Sequence, residues 1–460
     1  MRAVLSREEM RAADAAALSH VSHEALVTRA GTAVAGVALR ILGGAYGVHV
    51  VVVAGKGSNG ADARVAADLL SRRGARVTVV GAPDAPAALP PCDLVIDGAY
   101  GTGFHGAYDA PLVPPGTPVL AIDIPSGVDA DSGAAPGRAV HAWRTVTFAA
   151  LKPGLLQGEG ARLSGLVEVV DIGITWPPSA AALIDDADLA AHLPHRPRGT
   201  NKWASAVGIA AGSVGMEGSA ILCSRGAMAA GAGMIRLGSP GDPAGNWPVE
   251  VVRVGVPATG WADSFLAQVT KCRAVAIGPG LGTDVDTAGE IRSVIARCPV
   301  PMVIDADALT ALGDADAART LLSGRPAASI LTPHDGEYAR LAGSAPGDDR
   351  LEAVRTLASK LGCIVLLKGP LTAVASPDPG PPDVLLAASG TPALATAGTG
   401  DVLSGVIAAF LSRGVEPHLA AALGAHAHGR AASRGRPEGL VAGDLPRHLS
   451  CVLSEAAAGD

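Results

Sequence analysis

Aromatic side chains are scarce, 3% of 460 residues, so Trp203, Trp247 and Trp261 read as core or rim residues and no aromatic cage is implied. No run of Lys or Arg occurs and the formal net charge is −7, which leaves no electrostatic footprint for nucleic acid. Cysteine is also sparse: Cys92, Cys223, Cys272, Cys298, Cys363 and Cys451 lie scattered, with no C-x-x-C pair. Reduced thiols in a cytoplasmic protein are the simplest expectation. The opening, MRAVLSREEMRAADAAALSH, has a charged helical pattern and lacks a secretory core. Long apolar runs are broken as well. The glycine-rich stretch from Gly208 to Leu237 is interrupted by Glu217 and Arg225, so no membrane span is expected.

What is present is globular material, 48% hydrophobic and 17% charged, in a chain long enough for two cores. Short β-rich runs alternate with helical patterns at 48–55, 76–81, 93–97, 118–123 and 145–150. Continuous apolar strands between helices argue for a parallel sheet covered on both faces. The series stops in the proline-rich segment 174–200 and restarts at 207–212, 274–280, 301–308, 329–333 and 363–369. The sequence therefore predicts two α/β domains, 1–180 and 181–460. SPDPGPPD, residues 376–383, reads as a turn-rich insert within the second.

Glycine loops follow the strands. After VHVVVVAG comes GKGSNGADARVAADLL (55–70), whose glycines permit close ligand approach and whose helix is expected to begin near Asp62. DGAYGTGFHGA (97–107) and IDIPSGVDADSG (122–133) also follow strands, so their polar groups should gather at the carboxyl edge of the sheet. Asp97 and Asp123 would then share a crevice with Asn59, and Ser126 adds oxygens. Such a cluster, without His or Cys, suits a hard cation better than zinc.

GKGSNGADA, DGAYGTG, DIPSGVDA, TFAALKPG and the opening REEMRAAD resemble the NAD(P)HX epimerase domain of bifunctional NAD(P)H-hydrate repair enzymes, over about residues 5 to 175. The resemblance implies a Rossmann-like α/β domain. By position, Ser58, Asn59, Gly60, Ala61 and Asp62, with Gly101, Thr102, Gly103, Phe104, His105, Gly106 and Ala107, would hold the hydrated nucleotide. Asn59, Asp97 and Ser126 would hold potassium, and Asp123 would contact substrate and serve catalysis. Ser58, Ala61 and Ala63 replace the asparagine and two glycines usual in that loop.

The second half has its own loops. TAGTGDVLSG (396–405) flanks Asp401 with glycines before an apolar run: a Gly-Thr-Gly turn that opens a helix aims free N–H groups and positive dipole at one spot, suited to phosphate. Asp401 then makes sense as a base for a hydroxyl reacting near that phosphate. GPGLGTD (278–284), TPHDGE (332–337) and LLKGPLTAVA (366–375) each follow a strand. Singly each has an ordinary explanation as a loop, a capping turn or a snorkelling lysine. Four such loops in one domain are hard to explain as punctuation. With GSVGMEGSA and VIDADALTAL they resemble, over roughly 184 to 455, the ADP- or ATP-dependent NAD(P)HX dehydratase domain of the same enzymes, which implies a larger ribokinase-like α/β domain.

That resemblance implies that Ser219, Gly280, His334 and Asp401 contact NADHX or NADPHX. It implies further that Lys368, Gly369, Pro370, Leu371 and Thr372, with Gly398, Thr399 and Gly400, hold the adenine nucleotide. Mg²⁺ would bridge the phosphates, with Glu337 near it. ADP is favoured over ATP because bacterial fusions of both domains resemble ADP users. Ribokinase-like dehydratases often assemble, which leaves a homo-oligomer open. The implied function is epimerisation of R- and S-NAD(P)HX by the first domain and nucleotide-dependent dehydration of the S form by the second. The alternative is a small-alcohol kinase of the ribokinase class with a non-catalytic nucleotide-binding first module. His426 and His428, one residue apart, lack the helical i, i+4 geometry of zinc ligands and read as helix-surface or packing residues.

Overall fold

Valine sets the centre of the first sheet. In the computed structural model, which describes residues 1–378 and 380–458, HVVVVA forms a strand whose last five residues are all buried, the signature of a strand covered on both faces. The chain divides into two units, Arg2–Ala180 and a second beginning at Ala181.

In the first unit, β1 (Arg2–Val4) bridges to Leu151, and β2 (His49–Ala54), β3 (Arg76–Gly81), β4 (Leu94–Gly98), β5 (Val119–Ile122), β6 (Arg144–Phe148) and β7 (Leu166–Val170) form a sheet in the order β3-β2-β4-β5-β6-β7. Every pair is parallel. The order reverses between β2 and β4, the place where open α/β sheets leave a crevice. Two helices, His23–Leu42 and Ser58–Arg72, lie together at Gly31, where an added Cβ would fall 2.5 Å from the Val65 Cβ. The first is the one described helix long and apolar enough to cross a membrane. Its Leu26, Ala30, Val34 and Ala38 belong to the core of this unit.

The second unit contains β8 (Ala181–Leu183), β9 (Ala206–Ala210), β10 (Met234–Gly238), β11 (Val252–Val254), β12 (Ala274–Ile277), β13 (Met302–Ile304), β14 (Ser329–Leu331), β15 (Ile364–Leu367), β16 (Thr372–Ala375) and β17 (Val384–Ala387). Their order is β8-β17-β16-β15-β14-β13-β12-β9-β10-β11. The strands from β11 to β15 are parallel, whereas β15, β16 and β17 form an antiparallel meander. SPDPGPPD joins β16 to β17, and its Pro379 lies outside the described residues.

Helices Glu217–Ala229, Thr399–Ser412, Pro417–Ser433 and Leu445–Ala458 cover one face and supply most of the large core. The first two meet almost backbone to backbone. A Cβ on Gly405 would lie 2.0 Å from the Cys223 carbonyl oxygen, and one on Gly226 would lie 2.4 Å from that of Val402. His426 and His428 are both buried in Pro417–Ser433, so neither is a surface residue; His426 bonds Asp186 at 2.8 Å. Trp261 is buried.

Candidate active sites

The crevice of the first unit is a cavity of about 580 Å³ with an apolar side of Met10, Leu26, Phe148 and Ile172, and an acidic floor of Asp14, Asp62 and Asp123. Ser58, Asn59, Gly101, Thr102, Gly103 and Phe104 complete its rim. The wall does not include Gly60, Ala61, His105, Gly106 or Ala107; the His105 ring instead meets the Arg7 guanidinium at 2.8 Å. The helix starts at Ser58 rather than near Asp62, because Gly57 serves as its N-cap. Ala61 and Ala63 therefore have helical backbones with no need for positive φ, and alanine fits at both. Close approach demands glycine at Gly55 and Gly60, whose Cβ atoms would lie 1.9 Å from the Ala99 carbonyl oxygen and 2.0 Å from that of Gly55, and at Gly98, where one would sit 2.6 Å from the Ala63 Cβ.

Asp123 follows β5 with φ of 67°, an uncommon torsion outside glycine that aspartate tolerates better than most residues. Its Oδ1 accepts from Lys152 Nζ at 2.6 Å and from Thr147 Oγ1 at 3.2 Å. Lys152 is fully buried and spends its remaining donors on Thr147 Oγ1 and the Phe148 carbonyl, at 2.7 and 2.9 Å. A buried ammonium satisfied this completely is a fixed positive charge behind the carboxylate. Burial, with the charges of Asp123 and Asp14 adding, pushes Asp62 up to about 7.

Asp97 and Ser126 lie behind the wall. Ser126 donates to Asp97 through Oγ at 2.7 Å and through its N–H at 2.8 Å, and the Tyr100 carbonyl accepts from both Ser126 Oγ and Asn59 Nδ2. The structure thus groups Asn59, Asp97 and Ser126 around Tyr100. Asp97 is buried with no basic partner among the described residues, and burial pushes it up to about 6. Asn59 turns its Nδ2 to the Tyr100 and Ile122 carbonyls and Ser126 donates to Asp97, so the oxygens here that suit a hard cation are the carbonyls and the buried carboxylate.

In the second unit Gly398, with φ of 86°, turns the chain into Thr399–Ser412, and Asp401 sits in the first turn, where backbone N–H groups have no intrahelical acceptor. Ser219 lies near enough to the Asp401 carboxylate to favour its ionised form. Gly280 faces Ser219: a Cβ there would be 2.9 Å from the Ser219 Cβ. Asp401 is pushed up to about 6, chiefly by burial, with Asp305 and Asp307 adding and Ser219 and Lys368 opposing.

Lys368 does not snorkel. Its Nζ donates to Asp305 Oδ1 at 2.9 Å and lies 3.6 Å from Glu337 Oε2, which itself accepts from the His334 N–H. His334 caps the helix Asp335–Ala342 through Nδ1 and leaves its ring largely exposed. The turn after Lys368 is braced by Arg350, which bonds the Lys368 carbonyl at 2.7 Å; Leu371 is buried and offers the site only backbone. Gly400 lies over the pair, its would-be Cβ 3.6 Å from Lys368 Nζ and 3.9 Å from Asp305 Oδ2. Among the described residues no group of three His, Cys, Asp or Glu side chains is arranged for a metal. Mg²⁺ here would be held largely by nucleotide phosphates and water, as is usual for this ion.

Sequence reasoning gave no role to Lys152, Thr147, Asp14, Asp305 or Ser404. The signals were a lysine in TFAALKPG and an aspartate ending the strand in VIDADA.

A helix N-terminus, a lysine beside it and a carboxylate next to both are the parts that nucleotide-dependent phosphoryl chemistry requires. Comparison narrows the class. The family model described as NAD(P)H-hydrate dehydratase matches residues 207–455, and that of the YjeF-related protein N-terminus matches 23–89 and 81–154. The chain is 37% identical to the bifunctional NAD(P)H-hydrate repair enzyme of Mycobacterium leprae, over 99% of this chain and 98% of that one. It is 30% identical to the enzyme of the same description from Escherichia coli, over 98% and 93%. An ADP/ATP-dependent NAD(P)H-hydrate dehydratase from Bacillus subtilis, co-crystallised with ATP and Mg²⁺, is 29% identical and superposes with a TM-score of 0.51 over 59% of this chain and 97% of that chain. The protein belongs to the family of bifunctional NAD(P)H-hydrate repair enzymes, and its second unit has the ribokinase-like fold.

Proposed function

We propose that the first unit interconverts R- and S-NAD(P)HX at Asp123 and that the second dehydrates the S form with ADP as favoured donor, Asp401 being the base. The observation that carries the second assignment is the placement of Asp401 beside Ser219 and Gly280, one residue from a Gly400 that lies over Lys368. Hydroxide is a poor leaving group from the hydrated nicotinamide ring. Asp401 takes the hydroxyl proton as that oxygen bonds the terminal phosphorus, and the bond to the bridging oxygen breaks to release AMP from ADP, or ADP from ATP. The first-turn N–H groups and Lys368 meet the developing negative charge. Loss of phosphate with a ring proton then restores NAD(P)H. Magnesium supplies charge neutralisation on the phosphates when bound.

In the first unit Asp123 is held by Lys152 and Thr147 at the cavity floor, with Ser58, Asn59, Asp62 and Gly101–Phe104 as the nucleotide rim. Asn59, Asp97 and Ser126 would hold potassium, which would supply positive charge near the cavity when bound. Six free thiols support a cytoplasmic location.

The test is recovery of reduced-nicotinamide absorbance from mixed R- and S-NADHX with Mg²⁺ and K⁺, comparing ADP, ATP and no nucleotide. Full recovery with ADP, faster than spontaneous epimerisation, is expected. Recovery that stops at the S fraction would remove the epimerase assignment, and a phosphorylated product without inorganic phosphate would turn the second unit into a plain kinase. Replacing K⁺ with Na⁺ should slow only the R-dependent phase.

A further inference from the structure

Asp305 lies just past the carboxyl end of β13 and is buried, with 2% exposure. Its two oxygens are divided between two elements. Oδ1 accepts from Lys368 Nζ at 2.9 Å, after β15, and Oδ2 accepts from Ser404 Oγ at 2.6 Å, one turn beyond Gly400 on the Asp401 helix. Ser404 Oγ also reaches the Gly400 carbonyl at 3.2 Å. The Asp305 backbone is pinned too: its carbonyl would lie 1.8 Å from a Cβ on Gly278, and Ala306 after it has φ of 50°. Lys368 is a fifth exposed, so its ammonium is anchored from below and open above.

Resting on the dehydratase reading, we propose that Asp305 is a positioning residue of the phosphoryl transfer, a carboxylate clamp that fixes the Lys368 ammonium and the Gly400 turn relative to each other so that both meet the same phosphate. A buried carboxylate without its cation is costly, so the lysine cannot swing away in the empty enzyme. It therefore meets the nucleotide without having to be ordered first. The groups facing Asp401 include Asp305, Asp307 and Lys368, and Asp305 is the stronger of the two sources of like charge. Neutralising Asp305 consequently has two separable effects: Lys368 is loosened, and the Asp401 proton is held less firmly.

The test compares Asp305→Asn with Ser404→Ala in the full chain, using steady-state kinetics with S-NADHX and ADP·Mg²⁺ across pH. Asp305→Asn should raise the nucleotide KM about 10- to 100-fold, as expected for loss of one charge-assisted contact, and move the acid limb of kcat/KM to lower pH. Ser404→Ala keeps the charge and loosens the clamp, so it should raise KM with the acid limb unmoved. A merely structural role would reduce the folded fraction and leave both KM and the limb where they were, and that result overturns the inference while leaving the assignment of Asp401 intact. Should Asp305→Asn fail to fold, Asp305→Asn with Lys368→Met removes both charges. Nucleotide affinity in that double variant no weaker than in Lys368→Met alone supports the clamp, and a further independent loss refutes it.

Discussion

Gly405→Ala should push apart the two helices that carry Ser219 and Asp401. The new Cβ would stand 2.0 Å from the Cys223 carbonyl oxygen and 2.8 Å from the Ala227 nitrogen, both backbone atoms, where ordinary contact begins near 3.4 Å. No side chain can rotate out of the way, so the helices must separate by about 1 Å. Overpacking of this kind costs about 1–3 kcal/mol, towards the upper end where the atoms met are backbone. Alanine recovers about 1 kcal/mol in helix propensity, leaving a net loss of about 1–2 kcal/mol. A shift of about 1 Å between base and substrate costs on the order of 100-fold in rate. Gly289→Ala is the matched control, because it lies in helix Val285–Arg297 with nothing within 4 Å of its would-be Cβ. It should stabilise by about 0.5–1 kcal/mol with unchanged dehydration. Urea unfolding followed by tryptophan fluorescence, with single-turnover dehydration on the same samples, checks both. A Gly405→Ala enzyme as stable as Gly289→Ala and equally active would refute the reasoning.

Four further outcomes are expected. Asp401→Asn should lower dehydration about 100- to 10,000-fold while nucleotide still binds, and calorimetry with ADP·Mg²⁺ separates the two. Because Asp401 must be ionised to act and is pushed up to about 6, kcat/KM for dehydration should rise with pH through about 6 and then level off. On stability the sign is opposite: with the folded value above the ordinary 3.8, the contribution of this group is fully present below 3.8 and is lost as pH rises through about 6, as acid-side denaturation midpoints would show. Lys152→Met strips Asp123 of its buried partner and should destabilise the first unit by about 3–5 kcal/mol; R to S interconversion, followed by chromatography, should fall while dehydration of S-NADHX persists.

Much of each site was legible because glycine announces itself. The loops at 55–62 and 97–103 follow neighbouring strands of the first unit and that at 278–284 follows a strand of the second, so each comes to the carboxyl edge of its own sheet, whereas the turn at 396–401 follows the short 3₁₀ turn Pro392–Leu394. What stayed hidden were groups recruited across distance. Asp305 lies 63 positions from Lys368 and Lys152 lies 29 from Asp123, so neither partner stands near the predicted site residue that it anchors. The three-residue strand β11 and the antiparallel return of β16 and β17 were missed as well, since a strand that short carries too little periodicity to read. The glycine loop misled in one respect: Gly57 caps the helix, which starts four residues earlier than its spacing suggested and takes Gly60 and Ala61 off the cavity wall.

The left-handed torsion at Asp123 also limits how the first site can be redesigned. The carboxylate is aimed by the main chain as well as by its rotamer, so a library at this position is restricted before any chemistry is considered. Asparagine and glycine can take the same torsion with little rearrangement, and β-branched residues cannot. An engineer seeking a different acid or base would do better to leave residue 123 alone and vary Asp62 or Asp14, which reach the same cavity from ordinary helices.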